Sequence, residues 1–250
     1  AYSGTVFIPE IVNHNNTDYT VIAIGNYAFE DYSTITDITV PSSITTIGQG
    51  AFRRCSALEH IIIPNSVESI GGWAFSDCIA LTDINIPHSV KTIGTGAFSR
   101  CPVLAKINVE NGNTNYCSQD GVLFNYDKTI LIQCPGGKSG EYIIPSSVTT
   151  INNYAFNGCT SLTNITIPSS VTTISGYAFS CCSSITNVIM PNSVTTIDEY
   201  VFSDCSALEN VTISNSIKTI NRYAFSGCSA IKNITIPNSV TIIDNGAFSG

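Results

Sequence analysis

The dipeptide Ala-Phe returns every 23 residues, and this period constrains the fold more than any other property of the chain. It falls at Phe29, Phe52, Phe75 and Phe98, then at Phe156, Phe179, Phe225 and Phe248, while Val201-Phe202 keeps the register. The one gap of 58 residues, between Phe98 and Phe156, holds a single unit enlarged by 12 residues. Prolines follow the same spacing at Pro41, Pro64, Pro87, Pro145, Pro168, Pro191 and Pro237, with Glu110 and Ser214 in the two remaining places. Self-similarity at a fixed period signals a stack of equivalent small units rather than a globule. Residues 1–250 therefore read as one repeat domain of about ten units. It comprises a variant opening unit over 1–29, an enlarged unit over 110–144 and a last unit that stops mid-repeat.

A typical unit runs LTNITIPSSVTTISGYAFSCC from Leu162. Leu162, Ile165 and Ile167 end in period-two alternation, the mark of a half-buried strand. Pro168-Ser169-Ser170 then stops the strand and turns the chain. Val171–Ile174 is a second short extended segment, and Tyr177–Cys182 has room for one helical turn. Such a unit cannot bury its own apolar face. Stacking places each Ile on the Ile of the next rung and makes the core continuous. Ten rungs at about 4.8 Å give a body roughly 45–50 Å long.

Charged residues make up only 11% of the 250, with 10 Lys and Arg against 18 Asp and Glu and a net charge of −8. A phosphate-binding face has little electrostatic support, and nucleic acid is not expected as a partner. No apolar run is long enough to span a membrane, and no basic, apolar leader opens the sequence. The three histidines, His14, His60 and His88, do not cluster in the sequence. No nucleophile elbow, phosphate loop or HExxH motif occurs, and no Cys/His spacing suggests zinc. Neither catalysis, nor a cofactor, nor a metal is expected.

The pattern I-P-x-S-V-T-x-I-G-x-x-A-F-x-x-C-x-x-L-T-x-I resembles the BspA-like leucine-rich repeat, also called the Treponema pallidum type, over essentially the whole chain. The enlarged unit, with Asp120-Gly121-Val122-Leu123-Phe124 and Pro135-Gly136-Gly137, looks like a variant found in that family, as does the opening with its insertion at Asn13–Tyr19. The resemblance implies a right-handed leucine-rich repeat solenoid of short parallel strands and single helical turns. It also implies a cell-surface or secreted protein that adheres to host proteins, host cells or other microbes. It does not name the ligand, because a repeat scaffold leaves its reading residues free to vary.

In a leucine-rich repeat the Leu-x-x-Ile-x-Ile segment forms the sheet lining the concave face, and the residues between the buried ones point outward. Here most of those are Thr and Asn, which could serve only to solubilise the sheet. The departures are Glu59, His60 and Ile62 beside Asp83, Asn85, Lys106 and Asn108, with Ile189 as a second exposed apolar position; these are the candidate ligand-binding residues. The enlarged unit adds Tyr116, Tyr126 and Tyr142, on either a functional loop or a tolerated insertion. The partner expected is a protein or cell-surface ligand such as a host matrix protein, with self-association through the C-terminal end as a further expectation. A passive spacer or self-associating coat is the alternative.

Seven cysteines, Cys55, Cys78, Cys101, Cys159, Cys182, Cys205 and Cys228, share one register. They read as a ladder of buried thiols rather than a disulfide framework. Cys117 and Cys134, in the enlarged unit, are the one pair whose bonding stays open. Sequons at Asn15, Asn164, Asn210 and Asn233 would place glycan on the concave strip at three of the four sites.

Overall fold

The computed structural model describes residues Gly4–Gly250. It divides inside the enlarged unit into two compact units, the first ending at Tyr126 and the second running from Asp127 to Gly250. Each is a leucine-rich repeat solenoid built of two kinds of short parallel strand. In the first unit Gly4–Phe7, Ile35–Thr39 and His60–Ile61 form one parallel sheet, and Asp83–Ile86 pairs in parallel with Lys106–Val109. Ala23–Ile24, Thr46–Ile47, Ser69–Ile70 and Thr92–Ile93 form a separate sheet. In the second unit the corresponding sheets contain Gly140–Ile143, Leu162–Thr166, Asn187–Ile189 and Asn210–Thr212, and then the pairs beginning at Thr150, Thr173, Thr196 and Thr219.

Register follows the sequence period. Ile38 lies beside Ile61, Ile84 beside Ile107, Ile47 beside Ile70 and Ile197 beside Ile220. The phenylalanines stack face to face in both units. Centroids from Phe29 to Phe98 are 5.4, 5.3 and 5.6 Å apart, and those from Phe156 to Phe248 are 4.9, 5.3, 5.3 and 5.3 Å apart. Apolar burial is the main driving force of such a stack, and here it is supplied only by neighbours of the same kind.

The Ala-Phe segment departs from the expected helical turn. Among the described residues there is no helix; the segment is a run of tight turns in which N–H groups alternate in direction. Ala51, Arg53 and Cys55 donate back to Gly48, Gly50 and Phe52 in their own rung, whereas Gly50, Phe52 and Arg54 donate to Gly72, Ala74 and Ser76 in the next. A helix would consume every N–H internally and leave none to bind the neighbouring rung. The alternation requires left-handed backbone at two positions per rung, such as Gly50 and Arg54 (φ 58° and 59°) or Tyr177 and Cys181 (58° and 61°). Non-glycine side chains accept that strain because the surrounding ladder over-determines them.

The insertion near the start is a β-hairpin, Ile11–His14 with Thr17–Thr20, turned by Asn15 and Asn16 at φ 52° and 57°. Both central residues being left-handed is the signature of a type I′ turn, which asparagine tolerates.

Candidate functional site

The strands of this face send Ile38, Ile61 and Ile84 into the core, with Ile35 buried three residues before Ile38, and leave the residues between them outside. Two outward rows result in the first unit. One carries Asp37, His60, Asp83 and Lys106; strand register pairs Asp37 with His60 and Asp83 with Lys106. The imidazole of His60 lies 3.7 Å from Asp83 Oδ1, and both side chains are well exposed. The Thr82 hydroxyl donates to Asp83 Oδ1 at 3.0 Å and lies 3.3 Å from His60 Nδ1. The second row carries Phe7, Thr39, Ile62, Asn85 and Asn108; Phe7 pairs with Thr39 and Asn85 with Asn108, whose amide donates to the Asn85 carbonyl oxygen at 3.0 Å. Ile62 is 82% exposed. Glu59, also exposed, precedes His60 and is held by its N–H on Thr36.

Seven of the eight candidate residues thus share one strip of the first unit. The antiparallel pair Tyr116–Gln119 and Val122–Asn125 bounds it, with Ile107 donating to the Gly121 carbonyl at 2.9 Å. Gly121, at φ 77°, passes so close to Lys106 that a Cβ there would strike it. The eighth residue, Ile189, lies in the second unit, where the equivalent rows are Glu141, Asn164, Asn187 and Asn210, and Ile143, Thr166, Ile189 and Thr212.

Two outward residues escaped sequence reasoning: Phe7, 73% exposed, and Ile143, 66% exposed. Their segments, Gly4–Phe7 and Gly140–Ile143, lack the leading Leu of the repeat. The signal that finds them is position, two residues before Pro9 and Pro145, as Ile62 stands before Pro64. The tyrosines of the enlarged unit split. Tyr126 is exposed, but Tyr116 accepts the Ile93 N–H at 2.8 Å, and Tyr142 is buried against Phe156 with Lys138 above its ring. Those two pack rather than present a loop.

All ten cysteines are free thiols. Cys117 donates to the Asn125 carbonyl at 3.2 Å, and Cys134 lies 3.7 Å from the Pro135 carbonyl. Each thiol in the repeated register points at a carbonyl of the preceding rung: Cys78 to Phe52, Cys101 to Phe75 and Cys205 to Phe179, all at 3.1 Å. Burial pushes Cys78, Cys182 and Cys205 well above the usual thiol range, so they are poor nucleophiles. In the second unit Tyr154, Tyr177, Tyr200 and Tyr223 stack at 4.8, 4.6 and 5.0 Å, and partial burial raises the phenols of Tyr154 and Tyr177.

The chain matches the profile of the BspA type leucine-rich repeat region over residues 9–126 and 138–250. Among solved structures it is similar to a leucine-rich repeat protein of Eubacterium ventriosum, at 30% identity over 92% of this chain and 80% of that one, with a TM-score of 0.61. It is similar to the pneumococcal vaccine antigen PcpA at 26% identity, over 97% of this chain and 68% of that one, with a TM-score of 0.62. A leucine-rich cell surface protein of Faecalibacterium prausnitzii shares the fold, at 22% identity over 98% and 88% of the two chains and a TM-score of 0.61. The comparison with curated proteins gave no match.

Proposed function

The chain belongs to the BspA-type leucine-rich repeat family, and on that premise we propose that it is a non-catalytic adhesion module of a cell-surface or secreted protein. Its partner is a protein on a host or microbial surface, a host matrix protein in the first instance. Two similar proteins, the pneumococcal antigen and the Faecalibacterium cell surface protein, support the extracellular setting. Among the described residues no helix is long and apolar enough to cross a membrane.

One observation carries the proposal: Ile62, 82% exposed, stands in a strip with Glu59, the His60–Asp83 pair and Lys106. An apolar centre with a charged rim is the make-up of a protein-docking patch. Rim charges in water contribute little affinity but set orientation and encounter rate, so binding here should weaken with salt. The mixed signs also argue for a protein partner over a polyanion.

The test is capture of human and microbial surface proteins on an array by the wild type and by a variant with alanine at Glu59, His60, Asp83 and Lys106. A control variant carries alanine at Thr149, Thr172 and Thr195, which are exposed residues of the second unit. Saturable capture lost only in the first variant is the expected result. Capture that survives it, or that both variants lose equally, contradicts the assignment. An absence of capture by the wild type supports the alternative of a passive spacer.

A further inference from the structure

At the first rung of the second unit the phenylalanine column gives way to a cysteine. Cys134 donates its N–H to the Ala155 carbonyl at 2.7 Å, the same bond that Phe156 makes to Ala178 and Phe202 to Ala224 in later rungs. Cys134 therefore stands in the phenylalanine place of its rung, within the enlarged unit, and is fully buried. The next rung brings Cys159, also fully buried, from the repeated cysteine register. We propose that Cys134 and Cys159 are joined by a disulfide when the chain folds under oxidising conditions, a covalent staple where the enlarged unit meets the regular stack.

The other six thiols of the register each donate to a phenylalanine carbonyl one rung back, at 3.0 or 3.1 Å. In front of Cys159 that carbonyl belongs to Cys134, and it lies 3.8 Å from the Cys159 sulfur, a looser contact. Cys159 is thus the register thiol least tied to the backbone, and it is the one that faces a second cysteine.

The two sulfurs also converge. The Pro135 carbonyl oxygen is 3.7 Å from Cys134 Sγ and 3.8 Å from Cys159 Sγ, so both crowd one atom. A hydrogen bond between the two thiols, followed by burial, holds Cys159 well above the usual thiol range. Between the two cysteines lie residues 135–158. A bridge closing a loop of that length removes conformational freedom from the unfolded chain and so favours the fold.

Exchange requires a thiolate, and buried neutral thiols supply little of it, so the bond forms while the segment folds rather than afterwards. With glutathione disulfide as oxidant, one cysteine thiolate attacks a glutathione sulfur and expels one glutathione thiolate. The other cysteine thiolate then attacks the protein sulfur of that mixed disulfide, forms the bridge and expels the second glutathione. Two electrons pass from the protein to glutathione disulfide, and the two thiol protons end on the released glutathione. Such a bridge belongs to an oxidising compartment, as in the extracellular setting proposed above. Its formation in a glutathione buffer does not depend on that setting or on adhesion.

The experiment unfolds and reduces the full chain, refolds it in mixed reduced and oxidised glutathione, and alkylates it under denaturing conditions before mass spectrometry. Two of the ten cysteines should escape alkylation, and the peptide map should join Cys134 to Cys159. Cys134→Ser and Cys159→Ser should each leave every remaining thiol reactive, whereas Cys182→Ser should still lose two. Circular dichroism confirms that each variant folds, and the wild-type map stands without them. The bridged wild type should have a Tm roughly 5–10 °C above that of its reduced form. The proposal is overturned if all ten cysteines are alkylated, if glutathione adducts form without a bridge, or if the bridge maps to Cys117 and Cys134 or to Cys159 and Cys182. Equal Tm values for the bridged and reduced chains would overturn the role of a staple.

Discussion

Cys55 and Cys228 lie in the core register with thiols pushed up to about 12, first by burial and then by the nearby carboxylates of Asp31 and Asp204. Against an ordinary value of 9.0, each stays protonated in the fold at a pH where the unfolded chain would lose the proton. The unfolded state then binds fewer protons, so stability falls as pH rises. The contribution of these thiols is complete below pH 9 and is lost progressively up to pH 12. Calorimetry should show Tm declining across that window less steeply for Cys55→Ser with Cys228→Ser than for the wild type. A serine retains a donor for the Phe29 and Phe202 carbonyls but does not ionise there. Equal slopes would mean that these thiols are not held neutral by the core. Their burial was legible in the sequence, because seven cysteines at one repeat position behave as any small apolar residue would. The hydrogen bonds of Cys55, Cys78, Cys101, Cys182, Cys205 and Cys228 to a phenylalanine carbonyl one rung back were not, since they depend on side-chain direction.

Elements differ in how far their sequence betrays them. Strands announce themselves by alternation, as in Leu162–Thr166, and prolines mark where they stop. The Ala-Phe turns do not, because Tyr177, Arg54 and Trp73 adopt left-handed backbone that their residue types disfavour. Only the ladder between rungs explains it. Glycine is informative where backbones approach closely. Gly48, Gly71 and Gly94 occupy one position of successive rungs, and a Cβ at Gly94 would run into the backbone N and Cα of Gly72. Gly94→Ala should therefore destabilise the chain by roughly 1–3 kcal/mol through overpacking, read by denaturant unfolding. Ser175 takes the corresponding place in the second unit, and Ser175→Ala should cost much less. Equal costs would show that the approach at Gly94 is not tight.

Across the molecule, one device produces the outward face of each unit. Each unit solves its own core by stacking like on like, and what remains outside is free to vary without cost to the fold. In the first unit the variation is charged, with Asp37, Glu59, His60, Asp83 and Lys106 around Ile62; in the second it is amide and hydroxyl around Ile143 and Ile189. The period in the sequence was enough to read the scaffold and seven of the eight candidate residues onto one strip. It did not reveal the division inside the enlarged unit, where the regular spacing is interrupted. The binding assignment requires residue i to lie beside residue i+23 on the outward sheet. Solution NMR tests that directly through backbone contacts between neighbouring strands. The structure requires cross-strand NOEs joining Asp37 to His60 and Asp83 to Lys106 in the first unit, and Asn164 to Asn187 and Asn187 to Asn210 in the second. NOEs linking these residues at any other separation, or an antiparallel pattern among these strands, would contradict it.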